Sequence, residues 1–504
     1  MNPVSGAVVD GIEAHTIRVE VDLRSGLPRF ELVGLPDKAV REARVRVRAA
    51  LARSGVEFPG DVVSINLSPG QIPKEGTGLD LPMAVAIASA VADRPWARLS
   101  GHVLVGELAM DGRVVPIGGV LPVALEVRRR GFDGLIVPLA NAGEASAVED
   151  LAVYGAATLA EVLKFLGGEL DLQRATPAAR RAPRSPSGTG LDEVRGQLLA
   201  KRALALAAAG GHNLLLVGPP GAGKTLLARC LPALLPPLGR EESLEVSKVH
   251  SVARLLEPGV GLVVDRPFRA PHHTISREGL IGGGSQPRPG EVALAHRGVL
   301  FLDEMAEFDR GALESLRQPL ESGSIRISRK MRSVDFPARF LLIGAMNPCR
   351  CGNYFSRSEC RCSSSDVERY RARISGPLLD RIDLQIHVDR VGFEELHDRS
   401  PYELDAAQIA EKVQVARRRQ AERYAGERTN SELTGAEARG LARLDPPTRR
   451  LLANAMSEYR LSARAHDRIL KVARTIADLD GVAEVGSRQV LEAIQFRKMD
   501  RQLV

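Results

Sequence analysis

The chain has 504 residues, 44% hydrophobic and 26% charged, with 69 Lys and Arg against 62 Asp and Glu and a formal net charge of +7. That length sets a prior of roughly three domains, and the apolar content excludes a chain left disordered for want of a core. So small a charge excess does not establish nucleic-acid binding without local clustering, and 4% aromatic residues are too few for a platform of many stacked bases.

No run reaches the ~18 apolar residues of a membrane span. Met1–Asp10 has no basic start and no long apolar stretch, so no signal peptide is expected. Five cysteines are too few for a disulfide scaffold at this size and suit a cytoplasmic protein. Residues 1–166 read as an α+β unit. β-like runs occur at Thr16–Leu23, Phe30–Gly34 and Val62–Leu67. Asp37–Arg53 has helical spacing, with Val40, Val47 and Leu51 inward and Arg41, Arg44, Arg46 and Arg48 mostly outward. Leu81–Val91 is an Ala-rich helix. Asp111-Gly112, between Val103–Leu108 and Arg113–Ile117, is a hairpin turn signal. Thr158 and Glu161 have capping-box spacing ahead of a helix over Leu159–Leu166. Residues 167–189 lose all hydrophobic period among Gly167, Gly168, Pro177, Pro183 and Pro186 and read as a linker.

From 190 to 394 strands alternate with helices. The run Gly218, Pro219, Pro220, Gly221, Ala222, Gly223, Lys224, Thr225 fits G-x-x-x-x-G-K-[ST], between an apolar strand, Asn213–Val217, and a helix, Thr225–Leu235. Glycines let backbone N–H groups wrap phosphates, Lys224 brings charge to them, and Thr225 can ligate Mg²⁺. Val299–Leu302 is a buried strand ending in Asp303 and Glu304, at the carboxyl end where such sheets bind ligands. Asp303 suits the Mg²⁺ shell and Glu304 the polarisation of a water. Asn347 ends a third strand, Phe340–Gly344 and its extension, where it can orient that water. Arg381 precedes a strand over Leu384–Val388, and Arg464 and Arg468 open a C-terminal helix. From 395 to 504 the pattern is helical: Leu404–Tyr424, Ala436–Ala442, Pro447–Tyr459, Ala463–Leu479 and Ser487–Gln495.

Five runs carry a resemblance: Gly218–Thr225, Arg266–Thr274, Gly298–Glu304, Ala345–Cys349 and Ile374–Asp383. They are similar to the magnesium-chelatase-related branch of AAA+ ATPases, within it the ComM/YifB family of hexameric DNA helicases. The resemblance implies ATP and Mg²⁺ as ligands, Asn347 as sensor 1, Arg381 as an arginine finger acting across a subunit boundary, and Arg464 as sensor 2. It also implies a Lon-peptidase-like N-terminal domain. In that alignment Gly78 takes the place of the catalytic Ser, and Leu121 that of the Lys. Neither side chain can serve as nucleophile or base, so no peptidase activity is expected. Ser68 and Lys74 lie nearby in sequence, but Pro69 and the loop spacing argue against a substitute pair.

Glu321–Phe336 reads as two short strands around a basic tip, Ile325, Ile327, Val334 and Phe336 alternating with polar residues. Arg326, Arg329, Lys330 and Arg332 are the candidate DNA contacts. By resemblance this hairpin enters a central pore, where repeated cations suit a phosphate backbone; a solvated turn is the less favoured alternative from sequence alone. Phe268–Gly290 resembles another pore insertion. Its adjacent His272 and His273 suit core or phosphate contact better than a shared ion. Cys349-x-Cys351 and Cys360-x-Cys362 form two thiol pairs. They can enclose Zn²⁺ as a closed structural site, with reduced thiols, an iron–sulfur centre or a disulfide as alternatives. Cys230 reads as a core residue. The expected fold is thus an α/β AAA+ core with a helical lid, preceded by an inactive α+β domain. The expected function is ATP-driven DNA translocation and branch migration by a homo-hexamer, with recombination proteins as possible partners. The alternatives are a chelatase-like motor or chaperone acting on a protein, or an active Lon-like protease, which Gly78 and Leu121 disfavour.

Overall fold

The computed structural model describes residues 3–92, 96–177, 190–257, 259, 261–284, 287–329, 332–354, 360–392 and 405–497. Two main sheets organise the chain. The first contains β1 (Val4–Asp10), β2 (Glu13–Arg24), β3 (Arg29–Val33), β4 (Val62–Ser68), β5 (His102–Leu104), β8 (Gly134–Pro138) and β9 (Ala152–Ala156), in the order β3-β4-β2-β1-β5-β8-β9. The short hairpin β6 (Glu107–Leu108) and β7 (Val114–Val115) turns where Asp111-Gly112 predicts it. Side chains alternate across this sheet: in β4, Val63, Ile65 and Leu67 are buried. One face is covered by the helices Lys38–Arg53, Asp80–Ala92 and Leu159–Gly167, the other by Val120–Arg129.

Local signals explain the helix starts. Asp37 caps the first by accepting from the Val40 N–H at 2.8 Å, and Thr158 caps another by accepting from Glu161 N at 3.3 Å; such caps contribute about 1 kcal/mol each. The Asp80–Ala92 helix has no polar face because it is buried nearly all round. Its first residue, Asp80, is bound by both arms of Arg46, at 2.6 and 3.1 Å. Arg46 is one of the arginines predicted to face mostly outward; burial of Asp80 draws it in. Part of the stretch read as linker joins the first sheet. Arg174 bridges Tyr154, and Ala175 N–H donates to Val153 O at 2.8 Å.

The second sheet is parallel throughout, in the order β11-β14-β17-β10-β18, from β10 (Leu214–Val217), β11 (Phe268–Arg269), β14 (Val299–Leu302), β17 (Leu341–Met346) and β18 (Leu384–His387). Between them lie two antiparallel ribbons, β12 (Gly282–Gly283) with β13 (Arg288–Pro289), and β15 (Ser324–Arg329) with β16 (Arg332–Pro337). Alternate residues of single strands feed two cores. Leu214 and Leu216 face one, and Leu215 and Val217 the other. Such runs are apolar throughout because both faces are covered. The C-terminal helices do not stand apart. Ala406–Tyr424, Ala463–Asp480 and Ser487–Gln495 share the first of these cores with the strands, and Gln420 Nε2 donates to Ala209 O at 2.9 Å.

The two sheets meet through the helix Arg240–Val252 and its C-terminal turn. Ser251 Oγ donates to Glu144 at 2.7 Å, Glu144 also accepts from Asn141 Nδ2 at 2.6 Å, and Leu121 N–H donates to Ser251 Oγ at 3.4 Å.

Candidate nucleotide site and adjoining surfaces

The phosphate-loop sequence leaves β10 at its carboxyl end. Gly218 passes so near β18 that a Cβ there would stand 2.0 Å from Val388 O, and Gly223 has φ +82°. These two positions need glycine for different reasons, close approach and left-handed backbone. Lys224 Nζ donates to Gly218 O at 2.7 Å, Pro219 O at 2.9 Å and Asn347 Oδ1 at 3.2 Å. Burial pushes the Lys224 ammonium below the usual lysine range, while Asp303 and Glu304 pull it back up. Thr225 Oγ1 donates to Asp303 Oδ2 at 2.7 Å. This hydroxyl and carboxylate are the hard oxygen donors that Mg²⁺ takes. Lys224, Thr225, Asp303 and Asn347 therefore converge from the ends of three adjacent strands.

Glu304 adjoins them with φ +51°, left-handed for a non-glycine residue. Its Oε2 lies 3.1 Å from His273 Nδ1. His273 is neither in the core nor free: its ring lies tilted against His272 at 4.1 Å between centroids and meets Phe308 edge-on. Thr225, Arg229, His272, His273, Asp303 and Glu304 line one cavity of about 270 Å³. The Arg266–Thr274 run thus supplies site residues that the sequence alone assigns to core or phosphate contact. The signal for them is the placement of the run around β11, beside β14.

Arg381 and Arg464 lie elsewhere. They line a groove of about 560 Å³ with Asn213, Gly298, Leu341 and Asp383, which mark the amino-terminal ends of β10, β14, β17 and β18. The phosphate loop sits at the other end of the same strands. Arg381 is bound to Glu321. Burial, followed by the charges of Arg317, Arg468 and Arg464, pushes its guanidinium below the usual range, and its buried Nε has no hydrogen-bond partner among the described residues. Arg468 pairs with Asp383 at 2.7 Å. Burial opposes the charge on Asp383, but Arg468, His212 and Lys471 together hold it well below the usual carboxylate range.

In the basic ribbon, Ile325 pairs with Phe336 and Ile327 with Val334, and all four are buried. Arg326 is committed to Asp335, at 2.8 and 2.9 Å, so one of the four cations is neutralised within the ribbon. The side chains of Arg329 and Arg332, and all of Lys330, lie outside the described residues. The four cysteine sulfurs lie within 4.8 Å of one another, a group able to hold a metal ion. Backbone N–H groups of Asn353 and Arg361, with the Cys349 thiol, pull the Cys351 thiol down to about 6. Cys230 is buried, which pushes its thiol up to about 11. In the first unit Gly78 O accepts from Gly106 N–H at 2.9 Å, Leu121 is fully buried, and Lys74 is buried with its ammonium on Pro69 O.

A phosphate loop, an acidic strand end and a polar strand end facing its lysine on one parallel sheet define a P-loop ATPase of the AAA+ class. Models of magnesium chelatase subunit ChlI match residues 190–396 and 19–141, and one of its C-terminal part matches residues 403–497. Competence protein ComM of Haemophilus influenzae is 42% identical over 496 residues, covering 98% of this chain and 96% of its own length. YifB of Escherichia coli, itself uncharacterized, is 40% identical over 496 residues with the same coverage. A shorter match, 30% identical over 145 residues and 27% of this chain, is with Lon protease 1 of Bacillus subtilis. The chain belongs to the ComM/YifB family, in the magnesium-chelatase branch of AAA+ proteins, and that membership implies ATP and Mg²⁺. Among the described residues no helix is long and apolar enough to cross a membrane.

Proposed function

We propose that this protein is an ATP-driven ring motor that moves on DNA and promotes branch migration during recombination. The observation that carries the ring is the placement of two half-sites at opposite ends of one sheet. Lys224, Thr225, Asp303, Glu304 and Asn347 form one half. Arg381 and Arg464 form the other, a groove where arginines stand among carboxylates, Arg381 on Glu321 and Arg464 at 3.9 Å from Asp380, with a buried Nε on Arg381 unpartnered among the described residues. A buried donor without an acceptor is costly, and a neighbour's γ-phosphate is an acceptor suited to the Arg381 guanidinium. Head-to-tail contact of the two halves closes into a ring, six-membered in the family reading.

Within each subunit, Asp303 and Thr225 would hold Mg²⁺, which when bound neutralises phosphate charge. Lys224 grips the phosphates, Glu304 accepts a proton from the attacking water, and Asn347 positions that water. Arg381 of the adjacent subunit stabilises charge on the transferring group. The basic ribbon and the name of the competence relative support DNA as the track. Gly78 and Leu121 support a first domain that guides or assembles the ring without cutting peptides. For the cysteines, the favoured ion is zinc. Three of the sulfur pairs stand at 3.4, 3.6 and 3.7 Å, near the ~3.8 Å edge of a tetrahedron with Zn–S bonds of about 2.3 Å.

The deciding experiment is ATP turnover with no nucleic acid, with single-stranded DNA and with forked DNA. Strong stimulation by DNA is expected. Stimulation by a protein partner alone would replace this reading with a chelatase-like remodeller.

A further inference from the structure

We propose that the four-cysteine cluster is a metal-dependent brace of the phosphate loop, so that metal occupancy and ATP affinity are coupled. This deepens the zinc reading above and rests on it.

The cluster joins two segments that both return to the nucleotide site. Cys349 and Cys351 directly follow Asn347, whose side chain meets Lys224. Cys360 and Cys362 directly precede the helix Ser364–Arg371, capped by Ser363. An ion held by both pairs ties the end of β17 to the start of that helix. The far end of the helix grips the same strand end. Arg371 Nε donates to Pro348 O at 3.2 Å, and the Tyr370 hydroxyl hydrogen-bonds the Asn347 backbone. Just beyond, Arg373 reaches Ala306 O at 3.1 Å and Glu307 at 2.6 Å, on the turn that follows Asp303 and Glu304.

A second contact reaches the phosphate loop itself. Gly352 lies inside the cysteine turn with φ +83°, and a Cβ there would stand 2.6 Å from Pro220 Cδ. Pro220 is part of the Gly218–Thr225 loop. The turn therefore backs the loop from one side while Asn347 meets Lys224 from the other. Without an ion, the sulfurs are joined by weak S–H contacts, beside the Gly352 N–H to Cys349 O bond at 3.0 Å and the Arg371 guanidinium over the Tyr354 ring. With an ion, coordination orders the turn, and the loop starts closer to its phosphate-binding shape.

Coupling of this kind is reciprocal. Zinc-loaded protein is titrated with a zinc-chelating dye, with and without a slowly hydrolysed ATP analogue and Mg²⁺. In parallel, binding of a fluorescent ATP analogue is measured on loaded and chelator-stripped protein. Nucleotide is expected to tighten zinc retention about tenfold, and stripping to weaken nucleotide binding by the same factor, within the usual range for linked sites. Gly352→Ala keeps all four ligands; it should retain zinc stoichiometry yet lose both effects. Full coupling in that variant, or zinc bound with no dependence on nucleotide, overturns the brace and leaves the zinc site standing. Protein purified without chelator and carrying no zinc overturns the site and the brace together.

Discussion

At the scale of single residues, Lys224 and Arg381 illustrate opposite uses of a cation. Lys224 is half-buried and surrounded by carbonyl oxygens and Asn347, so its charge is already directed to one point. Arg381 is crowded by other arginines and held by Glu321. If it serves a neighbouring subunit, Arg381→Ala should bind ATP normally and lower kcat by about a thousandfold, as for other arginine fingers. Nucleotide binding and steady-state hydrolysis together check this; unchanged turnover would sink the assignment. Glu245 offers a pH test. Its carboxylate is lowered to about 2 by a hydrogen bond from His296 and by Arg297, against burial. Burial keeps the His296 imidazole below its ordinary pKa, and its Nδ1 accepts from Arg339 N–H, so it gives Glu245 a hydrogen bond and Arg297 supplies the charge. A carboxyl held low stabilises the fold above its unfolded pKa, near 4.5, and loses that contribution as pH falls through about 2. Glu245→Gln should therefore lower stability by at most about 1 kcal/mol at pH 7, since the pair is half-exposed. The difference from wild type should vanish in acid, as thermal unfolding across pH will show.

Among elements, the β15–β16 ribbon carries the case for DNA. Its apolar face is anchored by Ile325, Ile327, Val334 and Phe336, and Arg326 is spent on Asp335. The proposed contact with a phosphate backbone therefore falls to Arg329, Lys330 and Arg332, the other cations of the run. Reversing Arg329 and Lys330 to Glu should weaken single-stranded DNA binding. It should also flatten the salt dependence by about one unit of log–log slope for each phosphate no longer neutralised. Fluorescence anisotropy at several salt concentrations measures both. An unchanged slope would remove the ribbon from the DNA path.

For the whole molecule, several contacts bind the first unit to the ATPase core, Lys248–Glu13 at 2.7 Å and Arg240–Glu149 at 2.9 Å among them, and two further ones lie at Ser251 and at the β1–β2 turn. One is the Asn141–Glu144–Ser251 cluster. Burial pushes the Glu144 carboxyl up, against the hydrogen bonds from Ser251 and Asn141, so removing either bond leaves a costly buried oxygen. Ser251→Ala should destabilise the junction by about 1–3 kcal/mol and speed proteolysis between the two units. The other is at the β1–β2 turn, where Gly11 lies so close to the ribbon that an added Cβ would stand 2.2 Å from Val334 Cγ1. The first unit therefore touches the proposed DNA element as well as the core. The ring itself is tested by mixing. Lys224→Ala and Arg381→Ala subunits, each inactive alone, should regain turnover together, because a mixed interface can unite an intact loop with an intact finger.

Local order in the chain was enough for the nucleotide loop, the acidic strand end, the cap at Thr158, and the apolar strands of the second sheet. Each is a contiguous run whose spacing carries its own physics, and four adjacent apolar residues such as Val299–Leu302 can hardly be exposed. The cysteine pairs were equally plain in sequence, as two pairs with a fixed gap. What tertiary structure decided were the relations between distant runs. His273 meets Glu304, Arg326 turns to Asp335, Gly352 backs Pro220, and Arg381 and Arg464 share a groove at the far end of the strands. None of these follows from periodicity, because each depends on which strands lie side by side in the sheet and on which of their ends a loop emerges.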